Sequence, residues 1–227
     1  MNIIAIILAR GGSKGLPNKN ILDFCGKPLI SWTIQNCFDA GINSVWVSSD
    51  SKEILRISKN FGARTILRPK SLSGDLSSSE DAWAHAYDEI KKNNSNVIDW
   101  IFAPQVTSPI REPKDIIKGL EYIKSELYDS MFSCCIAEDL FFWQRDKDDI
   151  LTSINYDWKN RKRRQEISNK YIENGSYYLF KPKVIKMGNR FGKSIGCVEM
   201  ESWKMFEIDS ESDFRLCSAI MNEFLLK

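Results

Sequence analysis

The chain has 227 residues, of which 43% are hydrophobic and 27% charged, and its formal net charge is +2. This length and composition predict one main domain with a substantial core and exclude an intrinsically disordered chain. The nearly balanced charge does not favour a general polyanion-binding surface, so we expect no nucleic-acid partner.

Short apolar runs alternate with longer segments of helical period, a pattern typical of a mainly parallel sheet with helices on both faces. The predicted strands are Ile3–Leu8, Ser44–Ser48, Arg64–Leu67, Val97–Phe102, Ser130–Cys135, Ser176–Phe180 and Lys204–Ile208. The predicted helices are Pro28–Asp39, Ser51–Asn60, Ser77 to Lys92, Pro113 to Lys124, and Ser210 to Leu225. The chain is therefore predicted to have an α/β layered fold.

The pattern changes after the strand Ser130–Cys135, where an aromatic and charged stretch begins at Ala137. We interpret residues 137–175, approximately, as an appendage within a single domain of residues 1–227. The sequence shows no internal repeat and no low-complexity linker.

The turn that follows the first strand is rich in glycine and in basic residues, from Leu8 to Asn20. Glycines allow the backbone to approach an anion closely, and three cations within ten residues indicate several negative charges on the ligand. These cations are Arg10, Lys14 and Lys19. The turn is neither a Walker A loop nor a dinucleotide fingerprint. A plain connection with solvated lysines is the alternative, and the density of the cluster favours nucleotide binding.

Polar residues follow several predicted strands, at Arg10, Asp50, Arg68, Gln105 and Asp209. In an open α/β sheet the ligand lies beyond the carboxyl ends of the strands, so these side chains are expected at one edge. For Asp50 we prefer a helix-capping role, since it lies in a Ser-Ser-Asp-Ser sequence.

The six cysteines are scattered without a Cys-x-x-Cys pair, and there is a single histidine, so no zinc site is predicted by spacing. We expect reduced thiols and a cytoplasmic protein. The first apolar stretch is far shorter than the ~20 residues that span a bilayer, so no membrane segment or export signal is predicted.

The glycine-rich turn also resembles the opening motif of a known family, the CMP-sialic acid synthetases, or acylneuraminate cytidylyltransferases. The motif is Ala-Arg-x-x-Ser-Lys-Gly-x-Pro-x-Lys-Asn, and it lies here at residues 9–20. Further segments similar to the family follow in order: Leu67-Arg68-Pro69, Asp75 to Ser79, Gln105 to Pro109, Arg164-Gln165, Asn174-Gly175 and Ile208-Asp209-Ser210. Six ordered matches make coincidence an unsatisfactory explanation.

The resemblance implies a three-layer, Rossmann-like nucleotidyltransferase fold and a homodimer, with the appendage reaching the partner's site. It implies transfer of CMP from CTP to the anomeric hydroxyl of a nonulosonic acid, with release of pyrophosphate. Such a displacement needs positioning, neutralised phosphates and a metal ion, for which we expect Mg²⁺.

For the nucleotide, the resemblance implies that Arg10 and Lys19 contact the phosphates and are catalytic, with Ser13 and Lys14 ordering the turn. Asn20 would hold the sugar of the nucleotide. Arg68 would read cytosine, for which a planar donor fork is suitable. Ser78 would bind ribose or base, although a serine triplet at a helix start also predicts a capping cluster.

For the metal, the resemblance points to Asp209 as the first ligand and as a catalytic residue. The family has an Asp-x-Asp pair here, whereas this chain has Glu207-Ile208-Asp209. On a strand, both carboxylates would face the same side, so the resemblance also places Glu207 at the metal, where its longer side chain can reach the ion through a water molecule rather than as a direct ligand. The alternative for Asp209 is an N-cap of the last helix.

For the acid substrate, the resemblance implies contacts from Gln105, Thr107, Ser108, Arg164 and Tyr178. The sequence departs from the family on this side. A second family arginine and a proline are replaced in Ile172-Glu173-Asn174-Gly175, and a family lysine is absent near Trp143. These departures favour a legionaminic or pseudaminic acid over N-acetylneuraminic acid, with Glu173 meeting an amide or hydroxyl.

Two alternatives remain open at the level of sequence. A sugar-1-phosphate nucleotidyltransferase shares a similar N-terminal loop, but should need additional cations where Gln105 to Ser108 offer neutral donors. A non-catalytic nucleotide-binding protein would retain the loop without the chemistry, and the replacement at Glu207 is the feature that favours it.

Overall fold

The computed structural model describes residues 1–13, 15–92, 95–137, 141–163, 166 and 170–226. The strands are β1 (Ile3–Leu8), β2 (Asp23–Phe24), β3 (Lys27–Pro28), β4 (Val45–Ser49), β5 (Arg64–Leu67), β6 (Trp100–Pro104), β7 (Ser130–Ile136), β8 (Trp143–Arg145), β9 (Leu151–Ser153), β10 (Tyr171–Phe180) and β11 (Ile195–Glu199). The helices are α1 (Leu29–Asp39), α2 (Lys52–Asn60), α3 (Ser79–Lys92), α4 (Pro113–Tyr122), α5 (Pro182–Ile185) and α6 (Glu211–Ile220).

Seven strands form the main sheet, in the order β11-β7-β10-β6-β1-β4-β5. Strand β10 is antiparallel to both of its neighbours, and the other neighbouring pairs are parallel. The prediction of a mainly parallel α/β sheet is therefore confirmed. Because β10 runs in the opposite direction, its first residues lie at the edge where the parallel strands end.

The sheet is covered on both faces, which explains why β1 is apolar throughout. Its side chains alternate between the two cores, with Ala5 and Ile7 in one and Ile4 and Ile6 in the other. The first core includes residues of α1, α2, α4 and α6, and the second includes residues of α3 and α5. A strand with both faces buried has no need of polar alternation.

Local signals mark both ends of α2 as expected. The Ser51 hydroxyl accepts a hydrogen bond from the Ile54 amide at the start of α2. Gly62, just after the helix, has φ +87°, the left-handed conformation that glycine adopts at a helix C-terminus. The helix boundaries here were therefore readable from the sequence.

The predicted strand Lys204–Ile208 is wrong. A 3₁₀ turn occupies Ser202–Lys204, and residues 205–208 lie outside the strands. The last strand of the sheet is instead β11, whose glycine weakens the sequence signal for a strand. A side chain at Gly196 would lie 2.9 Å from the Tyr128 ring, so close packing requires glycine there.

The predicted strand Val97–Phe102 also begins later, at Trp100. Val97 is 73% exposed, and Asp99 is occupied by contacts with Asn2. The prediction placed the start of this strand too early because Val97 is apolar, although it is exposed to solvent.

Strands β8 and β9 form a separate two-stranded sheet within the predicted appendage. Aromatic rings contact one another around this hairpin, with Phe141 and Tyr156 centroids 4.4 Å apart and Trp143 and Tyr156 centroids 5.7 Å apart. Strand β10 begins at Tyr171 and belongs to the main sheet. None of the helices in the described part of the chain combines the length and apolar character required to cross a bilayer.

Candidate active site

The glycine-rich turn after β1 is held by contacts to its backbone. The Gly11 amide donates to the Asp50 carboxylate at 2.9 Å, and the Asn20 side-chain amide donates to the Arg10 carbonyl at 3.0 Å. A side chain at Gly15 would lie 2.3 Å from the Asp209 carbonyl oxygen. Glycine at that position therefore lets the turn lie directly against the segment that contains Asp209.

The two described cations of the turn are both paired with carboxylates. The Lys19 ammonium lies 2.9 Å from Oδ1 of Asp209 and 2.5 Å from the Ile208 carbonyl oxygen. The Arg10 guanidinium lies 3.0 Å from Oδ1 of Asp75. An anionic ligand that enters the turn must therefore compete with these carboxylates or share the cations with them.

A cavity of about 330 Å³ opens beside Arg10 and extends along the carboxyl ends of the strands. Arg68 lies in its wall, is 5% exposed, and donates from Nε to the Ser73 hydroxyl at 3.1 Å. Burial lowers the pKa of Arg68, and Arg10 lowers it further, whereas Asp50 raises it. A buried planar donor in a cavity of this kind is suited to the acceptors of a planar base.

An acidic pair, Glu207 and Asp209, follows the 3₁₀ turn of residues 202–204. Asp209 is exposed and Glu207 is half-buried. A side chain at Gly175, where φ is +64°, would lie 1.5 Å from Oε1 of Glu207, so any larger residue would strain the backbone and displace this carboxylate. Burial raises the pKa of Glu207, and the neighbouring charge of Asp209 raises it further, whereas Lys19 and Ser108 lower it.

The turn of residues 105–109 joins the cavity to the acidic pair through its backbone. The Gln105 amide donates to the Ser176 carbonyl at 3.0 Å, and the Ile208 amide donates to the Thr107 carbonyl at 2.8 Å. The Ser108 hydroxyl donates to the Gly175 carbonyl at 3.2 Å. The neutral donors of this turn are therefore fixed relative to both β10 and the acidic pair.

Arg111 holds the same turn by hydrogen bonds, and the sequence analysis did not identify it as a residue of the site. It is 2% exposed, and its guanidinium donates to the Ser108 carbonyl, to the carbonyl and hydroxyl of Ser176, and to the Thr33 hydroxyl. The sequence offered one signal for it, because Arg111 lies only two residues after the turn of residues 105–109. An arginine with this burial fixes the floor of the site.

Tyr178 takes part in a charged network near the cavity wall. Its hydroxyl donates to the Glu173 carboxylate, and its ring lies 4.7 Å from the Arg190 guanidinium. Arg190 also pairs with Glu80 at 2.6 Å and lies over the ring of Trp83, which lines the cavity. Burial and Glu173 raise the pKa of Tyr178 to about 12, so the hydroxyl remains a donor at neutral pH.

The predicted site residues fall into two groups. Those that line the cavity are Arg10, Asn20, Arg68, Ser78, Gln105 and Thr107. The second group interacts around the acidic pair Glu207 and Asp209, and its other members are Lys19 and Ser108. Ser13 is half-buried in the turn, and Tyr178 lies in the neighbouring network. Lys14 and Arg164 lie outside the described residues.

The predicted role of Asp50 is wrong, whereas both roles considered for Ser78 agree with the structure. The cap of α2 is Ser51, whereas Asp50 holds the amide of Gly11, so the capping interpretation of Asp50 is wrong. Ser78 accepts a hydrogen bond from the Asp81 amide at the start of α3 and also lines the cavity. A capping role and a place at the cavity are therefore compatible.

Comparison with known proteins gives a consistent result. A family model described as cytidylyltransferase matches residues 4–219. The chain is 37% identical over 217 residues to N-acylneuraminate cytidylyltransferase A of Danio rerio, with 94% of this chain and 49% of that protein aligned. It is 34% identical over 186 residues to pseudaminic acid cytidylyltransferase of Campylobacter jejuni, with 79% of this chain and 78% of that protein aligned. The chain thus spans about half the length of the vertebrate relatives that it matches.

A solved structure of CMP:2-keto-3-deoxy-manno-octonic acid synthetase, complexed with CTP, has the same fold. Its TM-score is 0.73 at 19% identity, with 99% of this chain and all of that chain covered. The Rossmann-like nucleotidyltransferase fold and the family resemblance of the motifs are both confirmed. The chain belongs to the CMP-sialic acid synthetase family of cytidylyltransferases.

Proposed function

We propose that the chain transfers CMP from CTP to the anomeric hydroxyl of a nonulosonic acid. The hydroxyl loses its proton to water and its oxygen forms a bond to the α-phosphorus. The bond from that phosphorus to the bridging oxygen breaks, and pyrophosphate leaves with the electron pair of that bond. The observation that carries this proposal is the position of Lys19, which joins the phosphate-binding turn to Asp209. A nucleotide–metal complex requires a cation for its phosphates and a carboxylate for its metal ion, and this contact brings the two together.

In this proposal the nucleotide occupies the cavity, with its base toward Arg68 and its phosphates toward Arg10 and Lys19. Ser78 and Asn20 line the same cavity and are suited to the ribose. Ser13 and Lys14 order the turn. Gln105 and Thr107 line the same cavity and offer neutral donors to the acid substrate.

The acidic pair has the chemistry of a Mg²⁺ site. Magnesium is held by one or two carboxylates together with phosphate oxygens and water. Asp209 is exposed, and the pKa of Glu207 is raised in part by the Asp209 charge, a repulsion that a cation would relieve. No group of three or more His, Cys, Asp or Glu side chains suitable for a metal is found within the described residues, so phosphate and water would supply the remaining ligands. When bound, the ion would neutralise the charge that develops on the phosphates.

We infer a legionaminic or pseudaminic type of acid as substrate, held by Gln105, Thr107, Ser108, Arg164 and Tyr178. Glu173 supports this choice because it is exposed beside Tyr178, and a carboxylate can only accept hydrogen bonds from the substrate. An acylamino group offers such a donor, and the proposed diacetamido acids carry one more of these groups than N-acetylneuraminic acid does.

We further propose a homodimer that works in the cytoplasm. Exposed apolar side chains on the hairpin, among them Trp143, Leu151 and Trp158, support an interface there. The six cysteines are free thiols, as in proteins of reducing compartments.

The test is Mg²⁺-dependent release of pyrophosphate from CTP with a panel of acids. The panel contains neuraminate, legionaminate, pseudaminate and the eight-carbon Kdo, with sugar 1-phosphates as controls. Turnover with a nonulosonic acid is expected, and Asp209→Asn should abolish it while Glu211→Gln, an exposed neighbour, should not. Turnover with sugar 1-phosphates alone, or CTP binding with no turnover, would overturn the proposal.

A further inference from the structure

A lysine outside the cavity makes an unusual set of contacts close to the acidic pair. Lys204 is 1% exposed, and its ammonium lies 2.8 Å from Oε2 of Glu112, 2.8 Å from Oδ2 of Asp115 and 2.8 Å from Oε2 of Glu201. We call these four residues the Lys204 cluster. Burial alone would lower the pKa of Lys204, but the hydrogen bonds to its three carboxylates outweigh burial and raise it. The ammonium is therefore a permanent cation.

The Lys204 cluster ties the chain just before the acidic pair to the start of α4. Glu112 and Asp115 stand at that helix start, where the Glu112 amide also donates to Asp115 at 2.9 Å. The helix follows the turn of residues 105–109, whose Thr107 carbonyl accepts from the Ile208 amide. The segment of residues 205–208 is thus held at Lys204 and again at Ile208.

A second connection runs from the backbone of Lys204 to the glycine that accommodates Glu207. The Asn174 side-chain amide donates to the Lys204 carbonyl at 3.3 Å, and its oxygen accepts from the Ser176 amide at 3.2 Å. Asn174 is buried and precedes Gly175. The residue that fixes Lys204 therefore also fixes the backbone against which Glu207 lies.

From these contacts we infer that Lys204 is a positioning residue for the acidic pair, acting through Asn174 and the segment of residues 205–208. This inference rests on the proposed function in one respect, namely that the acidic pair takes part in the reaction. Buried ion pairs are no strong argument for stability, and fixing a local geometry is a better explanation of this one. A misplacement of the pair by about 1 Å would lower turnover by up to about 100-fold.

The test compares Lys204→Met with Lys114→Met. Lys114 is a matched control, because it also contacts Glu112 and Glu201 but is 62% exposed and is not joined to Asn174. Hydrogen exchange at the Ile208 amide is measured together with kcat and the KM for CTP. Lys204→Met should speed exchange at Ile208 about tenfold or more relative to β1 amides, and should lower kcat with little change in KM. Lys114→Met should change neither.

Asn174→Ala keeps the ion pairs of Lys204 and removes the hydrogen bond from Asn174 to the Lys204 carbonyl. It therefore replaces Lys204→Met in the test if that variant does not fold. It should produce the same local exchange and the same loss of kcat. Exchange at Ile208 that stays at the wild-type rate, or that rises only in parallel with β1, would overturn the inference. Absence of turnover in the wild-type protein would contradict the proposed function instead, because the exchange result does not depend on it.

Discussion

The ammonium of Lys19 lies 2.9 Å from Oδ1 of Asp209, and the two residues are 190 positions apart in the chain. The Lys19 side chain is 11% exposed, whereas that of Asp209 is 78% exposed. The lysine is thus largely enclosed by the protein, and the carboxylate is open to solvent and to a ligand. The pair joins the two halves of the proposed reaction site.

Lys19→Met should remove a phosphate contact and leave Asp209 without its cation. We expect kcat/KM for CTP to fall by about 10²- to 10³-fold, the effect typical of losing one group that stabilises developing charge. Steady-state pyrophosphate release measures it, with Lys59→Met, on the exposed side of α2, as control. A loss of less than about threefold would argue against a phosphate-binding role.

Gly175→Ala should inactivate the enzyme more than it destabilises the fold. Both Gly175 (φ +64°) and Gly188 (φ +73°) have left-handed backbones, so alanine costs about 1 kcal/mol or more at either position. Only at Gly175 would the new methyl group overlap Glu207, since nothing lies within 4 Å at Gly188. Turnover and thermal unfolding of the two alanine variants measure this. Equal activities in the two variants would show that the position of Glu207 does not matter.

Glu173→Gln should change the choice of acid. The substitution keeps the size and removes the charge, so acids whose donor meets Glu173 should lose about tenfold in kcat/KM relative to acids without it. Competition between diacetamido acids and N-acetylneuraminate measures the ratio. Tyr178→Phe is the companion variant, because it removes the hydroxyl and keeps the carboxylate. A uniform fall for every acid would indicate a structural role alone.

Acid should weaken the fold through Glu201. Burial alone would raise the pKa of this carboxyl, but hydrogen bonds to Lys204 and to the backbone, together with the positive charges of Lys204 and Lys114, outweigh burial and lower the pKa from 4.5 to about 2. Because the folded pKa lies below the unfolded value, the stabilisation is complete above pH 4.5 and is lost as the pH falls towards 2.

Thermal unfolding as a function of pH tests this directly. Glu201→Gln should reduce the decline in stability below pH 4.5, whereas Glu211→Gln, at an exposed position, should leave it unchanged. Identical acid profiles for the wild type and Glu201→Gln would contradict the assignment.

Much of the fold was predictable because its signals are local. Strand β1 is one continuous apolar run, and Ser51 and Gly62 mark the two ends of α2 in the sequence itself. The failure at Lys204–Ile208 has a physical cause. A short, mainly apolar run at Met205, Phe206 and Ile208 imitates a strand, but Lys204 is buried by ion pairs with residues that are distant in the chain.

The candidate site was predictable to a lesser degree. Arg10, Arg68 and Gln105 follow strands, and the rule that ligands lie beyond the strand ends brought them to one cavity. Asp75 as the partner of Arg10, and Arg111 beneath Ser108, depend on tertiary contacts that no sequence period reveals.

The separation of Lys19 and Asp209 has a consequence for biosynthesis. A ribosome that makes the chain from its N-terminus completes the glycine-rich turn long before residue 209 emerges, so the earlier strands can collapse while the reaction centre is still incomplete. Closing a contact across 190 residues costs loop entropy that nearby pairings do not. We therefore expect folding to be faster than the acquisition of activity, with the edge that holds the proposed site as the last part of the molecule to form.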